Sequence, residues 1–183
     1  MKVKVEVSAR HLHINAEDFK KIWGKDELTK MRDVSQTGQY TCEETVTLKG
    51  PKSELKNVRI LGPFRSYTKA ECSKTDSINL GIDAPYASSG KESGATIEIV
   101  GPKGSITKNA INIPKRHFHM TEGSARELGI ASGDIVSVKI EGERGLVFNN
   151  VEAVISPADA VQIDTDEGNA AGIIGECMGE IIL

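Results

Sequence analysis

Apolar and polar residues alternate along several short stretches of this chain. In the opening segment Val3, Val5 and Val7 recur at every second position between charged residues, which is typical of a strand with one apolar face. The same pattern predicts strands over residues 45–48, 58–61, 96–100, 135–140 and 145–148, the last two joined as a hairpin through 141–144. Gly-Pro steps follow the first three of these segments. Each step predicts a turn, because proline presets a turn dihedral and cannot continue a strand ladder.

Two stretches instead have the spacing of short helices. Asn15 and Thr121 are good N-cap residues, apolar residues recur after each of them, and Gly24 and Gly129 are plausible helix ends. With so many short strands and only two short helices, the pattern predicts a mainly β fold of small β-barrels with short capping helices.

The two predicted helices each follow the same motif, and these two motifs contain all four histidines of the chain. An arginine precedes His11 and His13 in the first copy, and another precedes His117 and His119 in the second. Because side chains alternate across a strand, both histidines of a copy point to one face and the residue between them points to the other. A long segment that occurs only twice indicates an internal duplication rather than a solenoid.

Two imidazoles on one strand face provide half of a zinc-type site, since neutral imidazole is a good ligand for divalent zinc. The alternative is a pair of surface strands whose histidines match by coincidence. The repetition of the motif, with no histidine elsewhere, favours metal binding.

Composition narrows the classes of protein that fit. The 183 residues are 38% hydrophobic, 27% charged and 4% aromatic, as in an ordinary globular protein of one or two domains, and the duplication favours two. A net charge of −3 without a basic block gives no footprint for nucleic acid, and no apolar run approaches the roughly 18 residues of a membrane span. Three cysteines without close spacing favour a reducing cytoplasm over a disulfide scaffold.

Other polar residues are candidates to complete the chemistry. Glu71 lies in a segment of β character and is a possible third metal ligand, while Arg59 and Arg65 lie near Gly-Pro turns and have the geometry to bind an anion. Each of these, taken alone, is more often a solvated surface residue. Residues 25–39 and 86–93 are interpreted as loops, and the acidic segment 164–172 as a tight polar turn near a ligand, since it lacks the features of a calcium loop.

Four segments, in this order, resemble the PduL-type phosphotransacylases, also called phosphate propanoyltransferases. They are SARHLH at 8–13, LGPFRSYTKAE at 61–71, RHFHM at 116–120 and DTDEGNAAG at 164–172. The resemblance implies two β-barrels, one over residues 10–115 and one over residues 1–9 plus 116–183, with the first strand completing the barrel of the C-terminal half. It also implies a homodimer or larger assembly, no nucleic-acid or membrane partner, and transfer of an acyl group between coenzyme A and inorganic phosphate with two zinc ions at the junction of the barrels.

The resemblance also assigns residues. The ligands of one zinc ion carry over to His11, His13 and Glu71, and those of the other to His117 and His119. Phosphate binding carries over to Arg65. The contacts to coenzyme A carry over to a set spread along the chain, namely Ser8, Arg32, Arg59, Leu61 and Asn169.

The chain departs from the family pattern at three positions. Gln162 replaces the histidine that is the third ligand of the second metal, Ala87 stands where an arginine is usual, and Gly38 where a proline is usual. Because amide oxygen suits hard cations better than zinc, we expect one firmly bound zinc ion and a weak second site. The first strand begins at residue 2 or 3, so we expect a cytoplasmic, microcompartment-related enzyme without the targeting extension of some members.

The predicted function is therefore metal-assisted interconversion of a short acyl-CoA, acetyl or propanoyl, and phosphate with acyl phosphate and coenzyme A. Two alternatives are a non-catalytic relative that binds coenzyme A or an acyl phosphate, and an unrelated metallohydrolase. No covalent nucleophile is expected, because alternation places Cys72 on the opposite face from Glu71.

Overall fold

The alternating segments form strands throughout residues 1–88 and 94–183, the parts of the chain that the computed structural model describes. The chain divides into two units, which we call the central barrel (Arg10–Ile113) and the terminal barrel (Met1–Ala9 with Pro114–Leu183). Their elements, in chain order, are β1 (Lys2–Val7), β2 (His11–His13), α1 (Ala16–Trp23), β3 (Lys30–Asp33), β4 (Tyr40–Lys49), β5 (Glu54–Gly62), β6 (Lys69–Glu71), α2 (Lys74–Leu80), β7 (Tyr86–Ala87), β8 (Ala95–Val100), β9 (Ser105–Pro114), β10 (His117–Met120), α3 (Glu122–Leu128), β11 (Ile135–Ile140), β12 (Leu146–Ile155), β13 (Ala160–Ile163), α4 (Thr165–Ala171) and β14 (Glu176–Ile182).

The central barrel closes through six strands. β4 pairs with β5, β5 with β2, β2 with β6, β6 with β9, β9 with β8, and β8 returns to β4. The short strands β3 and β7 attach at β4 and β9. Closure pairs the backbone groups that an open sheet would leave exposed at its edges.

The terminal barrel closes in the order β1-β13-β10-β12-β11-β14. The first strand of the chain runs parallel to β13 and antiparallel to β14, so the N-terminus completes a barrel otherwise built from the last third of the sequence. The predicted fold class, two small β-barrels with short capping helices, is confirmed.

Each barrel has its own apolar core, made by the inward positions of its strands. Leu12 and Phe118, the residues between the paired histidines, are fully buried in the central and terminal cores. The histidines therefore lie on the outer faces of their barrels, because neighbouring residues of a strand point in opposite directions.

The two barrels share a local topology around the histidine strands. β2 lies between parallel β5 and antiparallel β6, and β10 lies between parallel β12 and antiparallel β13. Each is followed by a helix that begins after Asn15 or Thr121 and ends at a left-handed glycine, Gly24 or Gly129. This correspondence confirms the internal duplication.

Predictions for two segments were wrong, and one helix was not predicted. The acidic segment 164–172 is not a turn: it is helix α4, which begins because Asp164 and Glu167 form a reciprocal capping box. The equivalent helix α2 was not predicted, and its start is a similar box between Ser73 and Asp76. The segment 25–39 contains strand β3 rather than only a loop. Of the predicted loop 86–93, the first two residues form β7, and residues 89–93 lie outside the described part of the chain.

The helices that the structure describes are all short, and none of them has the length and apolar character to cross a membrane.

We expect Phe118→Ala to destabilise the terminal barrel by about 3–5 kcal/mol, because it removes a fully buried ring and leaves a cavity. Urea unfolding followed by circular dichroism would measure the loss. The control is Ile155→Ala in β12, which removes a side chain that is 43% exposed and should change stability far less. Equal effects of the two substitutions would contradict the inward orientation of Phe118.

Candidate functional site

The outer face of the central barrel brings His11, His13 and Glu71 together. His11 lies directly opposite Glu71 in the antiparallel pairing of β2 with β6, and its Nε2 is 3.5 Å from a carboxylate oxygen of Glu71. The rings of His11 and His13 are 5.0 Å apart and nearly perpendicular. Two histidines of one strand and a glutamate that is distant in the sequence thus share one patch of surface.

Lys69 belongs to the same patch, although the sequence did not single it out. It lies opposite His13 in the β2–β6 pairing, its side chain is only 2% exposed, and its Nζ is 2.9 Å from the second oxygen of Glu71. Glu71 is therefore held between His11 and a buried ammonium group. The available signal was the alternation in 68–71, which places Lys69 and Glu71 on one face.

The protonation states of His13 and Glu71 suit metal binding. Burial, together with the neighbouring charges of His11, Arg65 and Lys69, lowers the pKa of His13 to about 3, so its ring is neutral. Burial alone would raise the pKa of Glu71, but the charges of His11 and Lys69 outweigh it and hold that pKa at about 2. A neutral imidazole and an ionised carboxylate are the forms that coordinate a metal.

The donor set fits a three-ligand zinc site. Two atoms bound to one tetrahedral zinc at about 2.0–2.1 Å lie about 3.4 Å apart, close to the separation between His11 Nε2 and Glu71. The Nδ1 atom of His13 is buried without a hydrogen bond. No three His, Cys, Asp or Glu side chains within residues 1–88 and 94–183 already converge as a metal cluster, so metal binding at this patch requires its side chains to rearrange.

Arg65 lies on the loop between β5 and β6, beside the histidine strand. Its backbone N–H donates to the carbonyl of Ile14 at 3.0 Å, which ties the loop to the residue after His13. Its side chain acts electrostatically on His13, and its Nε is buried without a hydrogen bond. The guanidinium thus keeps donors for an anion next to the imidazoles.

The candidate contacts for coenzyme A divide between the barrels. Arg59 pairs with His11 in the ladder and donates from Nη1 to the carbonyls of Cys42 and Glu43, both at 3.0 Å. Arg32 and Leu61 both pair with Thr41, so they lie on the same outer face.

In the terminal barrel, β1 and α4 approach closely at Val7 and Gly168, and Ser8 and Asn169 are the next residues along the chain. A Cβ atom added at Gly168 would lie 2.5 Å from Val7 Cγ2, so only glycine allows this approach. Ser8 donates its backbone N–H to Ile163, and Asn169 is exposed on the helix.

The histidine pair of the terminal barrel has nearly the same internal geometry. The rings of His117 and His119 are 4.7 Å apart at 84°, against 5.0 Å and 83° in the central barrel. His117 Nδ1 is 2.9 Å from the Lys115 carbonyl, a contact that fixes the ring with Nε2 directed elsewhere. Gln162 lies opposite His117 as Glu71 lies opposite His11.

An arginine before each histidine strand forms the same kind of contact. Arg10 pairs with Asp76 and Arg116 with Glu167, and both acids belong to the capping boxes at the starts of α2 and α4. In both barrels the histidine strand is thus tied to the helix that follows its antiparallel neighbour. Sequence reasoning used these arginines only to recognise the repeat.

The comparisons with known proteins agree with this architecture. The family model described as phosphate propanoyltransferase matches residues 4–174. The chain is 43% identical to the phosphate propanoyltransferase of Salmonella typhimurium strain LT2, over 93% of this chain and 83% of that protein. It is 45% identical to the one of Lachnoclostridium phytofermentans over the same shares, and 43% identical to the one of Listeria monocytogenes over 98% and 87%.

Two β-barrels, each with a His-x-His strand on its outer face, together with these relatives define an acyltransferase of the phosphotransacylase class. The chain belongs to the phosphate propanoyltransferase family.

We expect Lys69→Met to lower the stability of the metal-free protein by about 3–5 kcal/mol, because it leaves the largely buried Glu71 carboxylate without its ammonium partner. The double variant Lys69→Met/Glu71→Gln should recover part of the loss, since neither charge then remains. Urea unfolding of wild type, both single variants and the double variant, after dialysis against a chelator, forms a double-mutant cycle. Additive losses would show that the two residues do not form an energetic pair.

Proposed function

We propose that the chain interconverts a short acyl-CoA, acetyl or propanoyl, and inorganic phosphate with acyl phosphate and free coenzyme A. The observation that carries the proposal is the outer face of the central barrel, where Arg65 acts on His13 and His13 shares a patch with His11 and Glu71. An anion-binding guanidinium beside a zinc-type donor set suits the attack of phosphate on a thioester. Membership of the phosphate propanoyltransferase family supports the same reaction.

The proposed reaction is a direct acyl transfer. A phosphate oxygen attacks the thioester carbonyl carbon, the bond from carbon to sulfur breaks, and the sulfur leaves as the thiolate of coenzyme A. Arg65 binds phosphate and offsets its charge, and holding phosphate beside the thioester supplies much of the rate enhancement through orientation. No covalent intermediate on the protein is required, and Cys72 is buried in the central core.

His11, His13 and Glu71 would hold a zinc ion, which supplies Lewis acidity towards the thioester carbonyl or the leaving thiolate. Lys69 has a positioning role in this proposal, because it holds one oxygen of Glu71 while the other faces His11. The carboxylate is thereby kept ionised and oriented. A buried cation next to the ligands also compensates negative charge that phosphate brings to the patch.

Coenzyme A would contact Arg32, Arg59 and Leu61 on the outer face of β3 to β5, and Ser8 and Asn169 at the β1–α4 contact of the terminal barrel. Arginine suits the phosphates of the coenzyme, and Leu61 suits an apolar part. A homodimer or larger assembly, in the cytoplasm and in a microcompartment-related role, belongs to the same proposal and rests on the family resemblance.

We expect Arg65→Ala to lower kcat/KM for phosphate roughly 100-fold, because it removes a positive charge that offsets the negative charge of the transition state. Free coenzyme A released from propanoyl-CoA, measured with a thiol reagent at several phosphate concentrations, gives the rate. The matched control is Arg126→Ala on α3, which removes a surface arginine whose side chain is 75% exposed and should leave the rate unchanged. Release of coenzyme A at a rate independent of phosphate would indicate a hydrolase instead.

Removal of metal tests the role of the central donor set. Dialysis against a chelator should abolish acyl transfer, and added zinc should restore it. Glu71→Gln should bind zinc more weakly and should need a higher zinc concentration for the same rate, because an amide oxygen is a poorer ligand than a carboxylate. Full transfer activity in protein shown to be zinc-free by elemental analysis would exclude this role.

A further inference from the structure

Residues 64–68, which we call the Arg65 segment, lie between β5 and β6 and are attached to the residues that follow β2. Near one end of the segment, the Arg65 N–H donates to the Ile14 carbonyl at 3.0 Å. At the other end, the Thr68 hydroxyl accepts from the N–H of Asn15, the N-cap of α1, at 3.3 Å. The position of the guanidinium therefore depends on how firmly this segment is held against β2 and α1.

Asp18, the third residue of α1, is a buried acid that contacts this segment. Its Oδ2 atom accepts from the Thr68 hydroxyl, from the ammonium of Lys108 on β9, and from the side-chain amide of Asn15 at 3.0 Å. The Asp18 side chain is only 3% exposed. Burial raises its pKa, but the hydrogen bonds from Lys108 and Thr68 outweigh burial and hold that pKa below its ordinary value, so the carboxylate is ionised.

The start of α1 does not by itself require a buried carboxylate at this position. The N-cap bond runs from the backbone N–H of Asp18 to the side-chain oxygen of Asn15 at 2.8 Å, so it does not use the Asp18 side chain. Glu17 already places an acid in the first helical turn, and its side chain is 79% exposed. Because a buried charge costs desolvation energy unless it is paired, the contact of the Asp18 carboxylate with Thr68 and Lys108 is what accounts for its burial.

The terminal barrel has the same attachment with its two side chains exchanged. The third residue of α3 is Ser124, and the residue before β13 is Asp159. The Ser124 hydroxyl donates to Asp159 Oδ2 at 2.7 Å, and the N–H of Thr121, the N-cap of α3, donates to Asp159 Oδ1 at 2.7 Å. A hydroxyl and a carboxylate thus join helix and segment in both barrels, with the acid on the helix in one and on the segment in the other. That both copies make this contact with different residues indicates a requirement for the attachment itself.

The two attachments hold different residues in place. The Ser156 N–H donates to the Met120 carbonyl at 2.8 Å, as the Arg65 N–H donates to the carbonyl of Ile14. Ser156 is therefore the counterpart of Arg65 in the terminal barrel. In the central barrel the attached segment carries a guanidinium that acts electrostatically on His13, whereas in the terminal barrel it carries a hydroxyl.

We propose that Asp18, acting through Thr68, is a positioning residue that holds Arg65 in place for phosphate binding. The inference rests on the proposed function, in which Arg65 binds phosphate. Thr68 bonds at once to Asp18 and to Asn15, so the Arg65 segment is attached to a helix that begins directly after the histidine strand. An arginine that is held in place before phosphate arrives loses less conformational freedom when phosphate binds.

Two substitutions of Thr68 test the proposal by separating KM from kcat. Thr68→Val removes the hydroxyl and should raise the KM for phosphate roughly tenfold, as the loss of a hydrogen bond to a charged group predicts, with an unchanged KM for propanoyl-CoA. Thr68→Ser retains the hydroxyl and should behave as the wild type. A merely structural role would lower the fraction of active protein, and hence kcat, without changing either KM.

The acid is tested with a matched pair of substitutions in one helical turn. Asp18→Asn should raise the KM for phosphate, because it removes the charge that binds the Thr68 hydroxyl. Glu17→Gln makes the same chemical change at the exposed neighbouring position and should leave the KM unchanged.

A double variant and a binding measurement decide the outcome. In the Arg65→Ala background, Thr68→Val should not raise the KM for phosphate further, because the group that Thr68 positions is absent. Calorimetric titration of inorganic phosphate into the protein should show the same roughly tenfold loss of affinity for Thr68→Val. An unchanged KM in Thr68→Val or Asp18→Asn, or an equal rise in the Arg65→Ala background, would overturn the inference. Phosphate binding that depends on Thr68 in a protein without acyl transfer would contradict the proposed function and support the positioning role.

Discussion

The alternation of side chains across a strand is the constraint on which the rest of this structure depends. Leu12 and Phe118 are fully buried in two separate cores, and their burial forces the histidines on either side of each to the outer face. A shift of either strand by one residue would place two imidazoles in an apolar core, at a large cost in desolvation. The hydrophobic cores therefore determine the direction in which the candidate metal ligands point.

Duplication gives the two barrels one scaffold, and the flanking residues give them different electrostatics. In both barrels an arginine ties the histidine strand to the start of a helix, through Asp76 or Glu167. The central pair then has the buried ion pair of Lys69 and Glu71 beside it, whereas the terminal pair has Glu152 and Gln162. Because the two copies share a backbone geometry, their histidine rings have the same arrangement, although the charges of the flanking residues differ.

The central site contains a buried cation, Lys69, and a largely buried anion, Glu71, so its charges are in place before any ligand binds. Placing the Lys69 ammonium and the Glu71 carboxylate inside the protein costs desolvation energy that their mutual attraction offsets only while both are present. Burial lowers the pKa of His13 and keeps its ring neutral. Burial raises the pKa of Glu71, but the charges of His11 and Lys69 outweigh it and keep that carboxylate ionised. The central barrel thus maintains the protonation states of potential metal ligands through its own structure.

The sequence by itself determined the class of fold and the membership of the family. Period-two alternation depends only on local strand geometry, so the strands were predictable. The repeated motif and its helix caps can be recognised from the residue types alone, so two of the helices and the duplication were predictable as well. Helices α2 and α4 were missed because they are seven residues long and depend on capping boxes more than on an apolar stripe. Only the tertiary structure decided which residues flank each histidine, because ladder partners such as Glu152 and His117 are distant in sequence and their register is set by barrel closure. The burial of Lys69 was likewise decided there, since a lysine in an alternating segment is usually solvated and only packing around the finished barrel removes it from water.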